Sequence, residues 1–518
     1  MDRILHVDGL TGFVPALHAA RLEDHVRRQK NDPAWHFHSY EPDTGRATMI
    51  HRPPVALVEQ AGPDRKLVQI DTATRPSQIP RKAASFQAMY PGYYLTGLDI
   101  DAGTATLTRL DPATVRARDA LAVALAVDPW QVGIRPAGEG GFDITVPVTY
   151  VPSKHDGRLT EAVHTAIGDA GWWVTVDAKT NRGRIRPGRP PSFPLVVPYP
   201  DPPDGPVGLD EQMRLPLGIS LARGPVASRP VFLDLSDSAG ALIQGTAGSG
   251  KSVTINALIA GALERGWQVG VGDVPHKRID FDWCRPYVHE NWYGAASKEA
   301  TMTVAGLVYA VRDQRTALLA EHGVTKWNDL PSSVRPAPIL LVIDELQGLY
   351  FMEPVPKGIP GDHPAYHELV EVPTCKNVAT QRFKQTIRKI AAELRFVGVR
   401  LLLGTQQAQG NTGIDRSVKM LFPNRILLGA RADEAARGHA FTDPTNAVTV
   451  PENIRQDIAM GKGVGVAEIE GEGSLVFKSY YVDTPEEYAT RLRRAGLATT
   501  ATPEPTSDQI ADHAPDDA

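Results

Sequence analysis

The sequence predicts an α/β fold, a mainly parallel sheet with crossover helices, preceded by smaller α+β domains. Three observations carry that reading. From residue 207 to 487, apolar strand-like runs alternate with helical stretches, the pattern that lays crossover helices on a parallel sheet. Within this region Ala241-Leu242-Ile243 runs into a glycine-rich turn, and a helix-forming stretch, Val253 to Leu263, leaves it. Two further runs, Ile339 to Ile343 and Leu401 to Leu403, are apolar on both faces, as strands buried inside a parallel sheet are, and each ends in polar residues.

At 518 residues the chain exceeds one core of ordinary size, so several domains are expected. Residues 1–85 read as a small mixed domain without an assignable role, with strand-like alternation at His36-Phe37-His38 and from Lys66 to Ile70. Residues 86–186 read as a small α+β domain. There Asp111 followed by Pro112 predicts a capped helix to Leu125, with Ala117, Leu121, Ala124 and Leu125 on one face. Strands are expected from Gln131 to Ile134 and from Phe142 to Val148, a helix from Leu159 to Asp169, then strands from Trp172 to Val176 and from Gly183 to Arg186. Residues 187–206 are proline-rich and predict a stiff, extended spacer. The α/β unit fills 207–497. The tail, 498–518, has five acids and no Lys or Arg, and is expected to be disordered.

Composition narrows the class. Hydrophobic residues at 42% and charged residues at 22% describe a globular protein. A formal net charge of −5 means that any nucleic-acid site must be a local basic patch. Two cysteines, Cys284 and Cys375, offer neither a disulfide framework nor a zinc knuckle, and fit a reducing cytoplasm. The acid-bearing N-terminus does not read as a signal peptide. No run of eighteen or more apolar residues occurs, so no transmembrane segment is expected, and work at a membrane would need a membrane-anchored partner.

The chemistry is concentrated in residues 245–252, Gly-Thr-Ala-Gly-Ser-Gly-Lys-Ser, a full G-x-x-x-x-G-K-[ST] loop between a strand and a helix. In that context Gly245, Thr246, Ala247, Gly248, Ser249, Gly250, Lys251, Ser252 and Val253 are the candidate ATP-binding residues. Backbone N–H groups freed by the glycines turn toward phosphate oxygens, and the positive end of the following helix faces the same anion. Lys251 reaches the β- and γ-phosphates, and Ser252 is a candidate Mg²⁺ ligand. The bland alternative, a glycine-rich turn opening an ordinary helix, does not account for the flanks. The buried strand 339–343 ends in Asp344-Glu345. Asp344 is assigned to Mg²⁺ and Glu345 to orienting and polarising the attacking water. Gln406, after the strand at 401–403, is assigned to sensing the γ-phosphate or positioning water. Its alternative, a polar loop after a core strand, would be preferred without the first two motifs. His363 and His367 lie four apart near Cys375, without a strong metal-ligand spacing.

Taken together, these stretches resemble the FtsK/SpoIIIE DNA translocases. The resemblance rests on Pro216-Leu217-Gly218, Val231 to Leu235, Gly245 to Ile259, the Asp344-Glu345 strand, Ala391 to Arg400 leading into Gly404-Thr405-Gln406, Pro423-Asn424-Arg425-Ile426, and Met460-Gly461-Lys462-Gly463. It spans roughly residues 208–490, and a weaker likeness to the small domain before that family's motor covers about 110–190. Three departures are visible. The family's membrane-spanning N-terminal region and its C-terminal winged-helix domain are not found, and an extra stretch lies near Phe351–Val378.

The resemblance implies a P-loop NTPase (RecA-like) motor, an ATPase that assembles as a homohexamer with double-stranded DNA in its pore, here of a conjugation or mobile-element type. Such a ring needs a cation from a neighbouring subunit, and Arg395 and Arg425, beside family-like motifs, are the candidates. The densest basic run of the chain holds Lys376, Arg382, Lys384, Arg388, Lys389, Arg395 and Arg400 against the single acid Glu393, and DNA contact is assigned to Lys376, Arg382, Lys384, Arg388 and Lys389. The alternatives are a solvated helix face for the run and, for the protein, a ring ATPase that drives protein secretion or a nucleotide-dependent scaffold that does not hydrolyse. Intact Lys251, Asp344 and Glu345 argue against the scaffold.

Overall fold

The computed structural model describes residues 3–32, 35–51, 59–71, 74–168, 171–203, 205–223, 226–406, 414–445 and 447–513. Packing divides the chain into two units, Met1–Arg135 and Pro136–Ala518.

The first unit holds two antiparallel sheets. Strands β1 (Arg3–Val7), β2 (Trp35–Glu41) and β3 (Arg46–His51) pair in the order β1-β3-β2, with α1 (Pro15–Lys30) against them around Val26, Trp35 and Met49. Strands β4 (Glu59–Gly62), β5 (Arg65–Gln69), β6 (Tyr93–Asp99) and β7 (Thr104–Arg109) pair in the order β4-β5-β7-β6. Helix α2 (Ile79–Met89) closes their core of Val68, Ile79, Leu95 and Leu107. Helix α3 (Pro112–Leu125) begins where the sequence places it, because the Asp111 carboxylate accepts hydrogen bonds from the backbone N–H groups of Ala113 and Thr114. Strand β8 (Gly133–Pro136) spans the boundary between the units.

The second unit opens with β9 (Phe142–Thr145), α4 (Pro152–Ala162), β10 (Trp173–Asp177) and β11 (Arg182–Arg186), the strands pairing β10-β11-β9. Helix α4 starts seven residues earlier than the Leu159 start expected from periodicity. Its first turns, Ser153-Lys154-His155-Asp156, are polar, and Pro152 at the first helical position supplies the nucleus that periodicity misses. A half-buried salt bridge, Asp156 to Arg223 at 2.9 Å, and a hydrogen bond from Thr449 to Asp156 at 2.9 Å tie this module to the rest of the unit.

The proline-rich stretch is not a free spacer. Phe193, Val197 and Tyr199 are all buried, and the Tyr199 ring meets Tyr488 edge-on at 5.1 Å. Proline keeps the backbone extended, and the large side chains between the prolines seat it as a strap.

The core is a nine-stranded sheet ordered β13-β12-β20-β19-β18-β14-β17-β16-β15. Its strands are β12 (Arg214–Ser220), β13 (Pro230–Asp234), β14 (Gly240–Gly245), β15 (Gln268–Gly272), β16 (Ile339–Ile343), β17 (Val399–Thr405), β18 (Asn424–Leu428), β19 (Val464–Ile469) and β20 (Gly473–Ser479). The five strands from β18 to β15 are parallel, and the four beyond β18 are antiparallel. In the parallel part every residue of β14, β16 and β17 is buried, as the apolar runs require. Gly240, with φ +149°, lets β14 approach β17: a Cβ there would lie 1.8 Å from the Leu401 carbonyl oxygen.

Short helix α5 (Leu209–Gln212) precedes the sheet. Helix α6 (Lys251–Glu264) is buried almost all round, beneath the sheet on one side and α13 (Glu486–Arg494) on the other, which explains its weak amphipathic pattern. Helix α7 (Lys298–Glu321) covers β15 and β16 and packs on α9 (Val372–Glu393), which feeds β17. Four short helices, α8 (Leu346–Leu349), α10 (Arg416–Met420), α11 (Glu434–Ala440) and α12 (Glu452–Gln456), line the loops around the strand ends.

The tail was expected to be disordered, but its described part is ordered. The N–H groups of Asn291 and Tyr293 donate to the carbonyls of Thr502 and Pro503 at 2.8 and 2.7 Å, and α14 (Ser507–His513) packs on α7. The prolines that argue against helix here favour an extended strand-like contact instead. Of the two cysteines, Cys284 is buried, its thiol bonding the Phe281 carbonyl at 3.1 Å and pushed up in pKa by burial, whereas Cys375 is exposed on α9.

Arg400 belongs to the fold and not to a basic surface. It is 1% exposed, and its guanidinium donates to the carbonyls of Leu235, Arg395, Val399 and Ser236 at 2.6, 2.9, 3.0 and 3.0 Å. Arg400→Met leaves these acceptors unpaired and should destabilise the protein by about 3 kcal/mol, read as a lower urea midpoint. An unchanged midpoint would contradict the structural role.

Candidate active site

The parallel strands fix where the chemistry sits. Counted along the chain, they lie in the spatial order 5-1-4-3-2, so β14, the first, has β17 on one side and β18 on the other. The chain leaves β14 in one direction and returns on its other side, which opens a crevice at the strand C-termini. Five segments end there: the glycine-rich loop after β14, Asp273 after β15, Asp344-Glu345 after β16, Gln406 after β17 and Gly429 after β18.

The loop has the backbone that phosphate cradling needs. Gly248 and Gly250 have φ of +75° and +99°, and Gly250 caps α6 in the left-handed region. A Cβ on Gly250 would come within 3.2 Å of the Gly463 Cα, so the Gly461-Lys462-Gly463 segment lies directly against the loop. Beside Thr246, Ala247, Gly248 and Ser249, a cavity of about 480 Å³ opens between the loop, Gln406, Gly429 to Asp433 and Arg455 to Lys462.

Four charged side chains meet at the crevice floor. The Lys251 ammonium pairs with Asp344 Oδ1 and lies 3.9 Å from Glu345 Oε2. The Lys277 ammonium pairs with the same Glu345 oxygen, which also accepts from Gln406 Nε2 at 3.2 Å. Asp344 Oδ1 further accepts the Glu345 backbone N–H at 2.8 Å. Burial pushes the Glu345 pKa up, but the Lys277 hydrogen bond and the charges of Lys251 and Lys277 outweigh it and hold the carboxyl below its ordinary range. Glu345 itself has φ +52°, a costly conformation for a residue with a Cβ. Gly404 on the neighbouring strand leaves room for this arrangement: a Cβ there would lie 1.9 Å from Asp344 Oδ1.

The structure thus brings Lys251, Asp344, Glu345 and Gln406 together, and adds three residues that sequence reasoning missed. Asp273 is fully buried, its pKa pushed up to about 7 by burial and by the Asp344 charge. Lys277 pairs with Glu345, and Asp280 accepts the Ser252 hydroxyl at 2.8 Å. The signal for Asp273 was present: Val269-Gly270-Val271-Gly272 is a buried apolar run that ends in an acid, as the strand before Asp344 does.

The residues present fit a Mg²⁺–nucleotide. Asp344 Oδ2, Asp273 Oδ2 and Ser249 Oγ are buried polar atoms without a protein partner, in a crevice that already holds two ammonium groups. Mg²⁺ takes one or two carboxylates and completes its shell with water and phosphate. Asp344 and Ser252 would hold it, and it would neutralise charge shared by the β- and γ-phosphates.

Other predicted residues stand apart. Arg425 is 3% exposed, with its guanidinium donating to the Phe422 and Lys419 carbonyls at 3.0 and 2.7 Å. Within the chain Arg425 is thus directed at its own backbone, and reaching outward to a neighbouring subunit would strand two buried acceptors. Arg395 is exposed and donates to the Asp237 carbonyl. On α9, Lys376, Arg382, Arg388 and Lys389 are exposed, while Lys384 is partly buried with its ammonium 5.3 Å from the Tyr350 ring centre.

The FtsK/SpoIIIE family model matches residues 211–266, from α5 through the glycine-rich loop and α6. That stretch, which carries the glycine-rich loop, is similar to the FtsK/SpoIIIE family, and the chain is a P-loop ATPase. No curated protein matches the chain. Among solved structures, the pCW3 conjugation coupling protein TcpA, in monomer form with ATPgS, aligns at 17% identity over 74% of this chain and 100% of its own, with a TM-score of 0.45. ATPases 2 and 3 of EssC from Geobacillus thermodenitrificans align at 14% identity over 61% of this chain and 54% of theirs, with a TM-score of 0.41. The cytoplasmic domain of the Thermomonospora curvata type VII secretion ATPase EccC aligns at 19% identity, over 59% of this chain and 33% of its own, with a TM-score of 0.39. The matched region is thus about half of the EssC chain and a third of the EccC chain.

Two outcomes follow for this P-loop ATPase site. Lys251→Ala should abolish nucleotide turnover, because Lys251 is the side-chain charge that the loop itself carries; full turnover by the purified variant would refute the site. Gly404→Ala should lower turnover on the order of 100-fold without replacing any nucleotide-facing side chain, since the added methyl displaces Asp344. Parental turnover would show that Asp344 tolerates displacement.

Proposed function

We propose that this protein is an ATP-driven double-stranded DNA translocase that works as a homohexamer on plasmid, mobile-element or chromosomal DNA. It would act in the cytoplasm, with a membrane-anchored partner where its task lies at a membrane. Among the described residues, no helix is long and apolar enough to cross a membrane.

In the hydrolytic step water attacks the γ-phosphorus, Glu345 takes its proton, and ADP leaves while Lys251 and the loop N–H groups hold the developing charge. Gln406 donates to Glu345 and links the state of β17 to that step. Arg395, exposed where α9 gives way to β17, is our choice for the cation supplied to a neighbouring subunit.

The DNA reading rests on one observation, the polarity of α9. Its inner face buries Thr380, Phe383, Ile387, Ile390 and Ala391, and its outer face presents Arg382, Arg388 and Lys389. These are groups suited to phosphates on any sequence. The helix leads through the 3-10 turn Arg395–Val397 into β17, whose C-terminal end is followed by Gln406, so one strand joins α9 to the ATP site.

Duplex DNA of unrelated sequences should stimulate ATP turnover to similar extents, and binding should weaken steeply with salt. The triple variant Arg382→Glu, Arg388→Glu, Lys389→Glu should lose most of that stimulation and keep its basal rate. If duplex DNA leaves the parental rate unchanged, the alternative of a ring ATPase driving protein secretion takes its place. Glu345→Gln should bind ATP, turn over far more slowly, and accumulate as rings of six by light scattering; a strictly monomeric, fully active parent would contradict the ring.

A further inference from the structure

We infer that Lys277 is a positioning residue for Glu345, and that the turn carrying it is a working part of the ATP site. The inference rests on ATP hydrolysis at this site and not on the nature of the cargo.

Glu345 lacks the usual means of fixing a catalytic carboxylate. Its backbone is left-handed, and it stands at the start of α8, a helix of a single turn. Lys251, the nearest loop cation, is committed to Asp344. What holds the carboxylate is a pair of donors on Oε2, the Lys277 ammonium and the Gln406 amide. With both on one oxygen, Oε1 is left to receive the proton of the attacking water as its oxygen bonds the γ-phosphorus and the bond to ADP breaks.

Lys277 is itself held by a built element. It lies in the 3-10 turn Pro275–Asp280, with Pro275 at the first position and the Lys277 N–H donating to the Val274 carbonyl at 3.0 Å. Val274 is buried so closely against Gly348 of α8 that a Cβ at 348 would meet its side chain at 2.8 Å. The far end of the turn grips α6: Asp280 accepts the Ser252 hydroxyl at 2.8 Å, and its carbonyl accepts from Asn256 at 3.0 Å. One six-residue turn therefore spans the two walls of the crevice, the acidic pair and the phosphate-binding helix. A lysine on a solvated face would show none of this support, and the Lys277 side chain is only 28% exposed.

The test is steady-state and single-turnover kinetics on the full chain. Lys277→Met should lower kcat on the order of 100-fold while the Kd for a non-hydrolysable ATP analogue stays the same. Lys277→Arg and Lys277→Gln, which keep a donor, should each recover part of the loss. In a Glu345→Gln background Lys277→Met should cost nothing further. An unchanged kcat would overturn the proposal, and so would an increase, which would make Lys277 a latch that restrains Glu345. A Kd that weakens in step with kcat would make it a phosphate ligand instead. If Glu345→Gln alone keeps parental turnover, the assignment of Glu345 fails, which is a separate result from failure at Lys277.

Discussion

The organising constraint of this protein is the burial of charge at the C-terminal edge of its parallel sheet. Lys251, Asp344 and Glu345 are each less than a tenth exposed, and an unpaired charge at such depth costs several kcal/mol. They persist because each carboxylate has its own ammonium, Lys251 for Asp344 and Lys277 for Glu345. That pairing demands that the end of β14 and the end of β16 sit two strands apart with β17 between them, and that β17 carry no side chain where Asp344 leans over it. The all-apolar strands, Gly404 and the left-handed Glu345 are consequences of that single demand.

Much of this was legible in the sequence, and what was not has physical reasons. Runs such as Ile339 to Ile343 announce a strand buried on both faces, and a glycine-rich loop between strand and helix announces its backbone. Asp344, Glu345 and Gln406 follow their strands immediately, so position alone placed them at the crevice. Asp273 obeys the same grammar but follows a run diluted by Gly270 and Gly272, which hides the strand. Lys277 and Asp280 come from a turn, where no periodicity exists to follow. The tail and the proline-rich strap were misread for a shared reason: composition reports that helix is disfavoured, not that an extended chain lacks a surface to lie on.

Arginine was the other source of error. Arg315, Arg400, Arg425 and Arg437 each direct the guanidinium at backbone carbonyls, with bonds of 2.7 to 2.9 Å among them to Ala337, Arg395, Lys419 and Ala447. A guanidinium presents five donors in a rigid fork, so it can close several strand ends at once. In sequence such a residue looks like any other basic residue near a motif. Arg400 stands in the densest basic run of the chain yet contributes nothing to its surface, and Arg425 stands beside a family-like motif because that motif folds around it.

The two thiols of the protein differ in a way that has a practical use. Cys284 is shut inside the core, while Cys375 opens to solvent one residue before Lys376 on the helix with the basic outer face. A thiol-reactive dye distinguishes them by access alone. The unaltered chain therefore carries a single natural attachment point for a fluorophore, placed on the helix that precedes β17, and the working cycle can be followed optically without altering any of the residues that drive it.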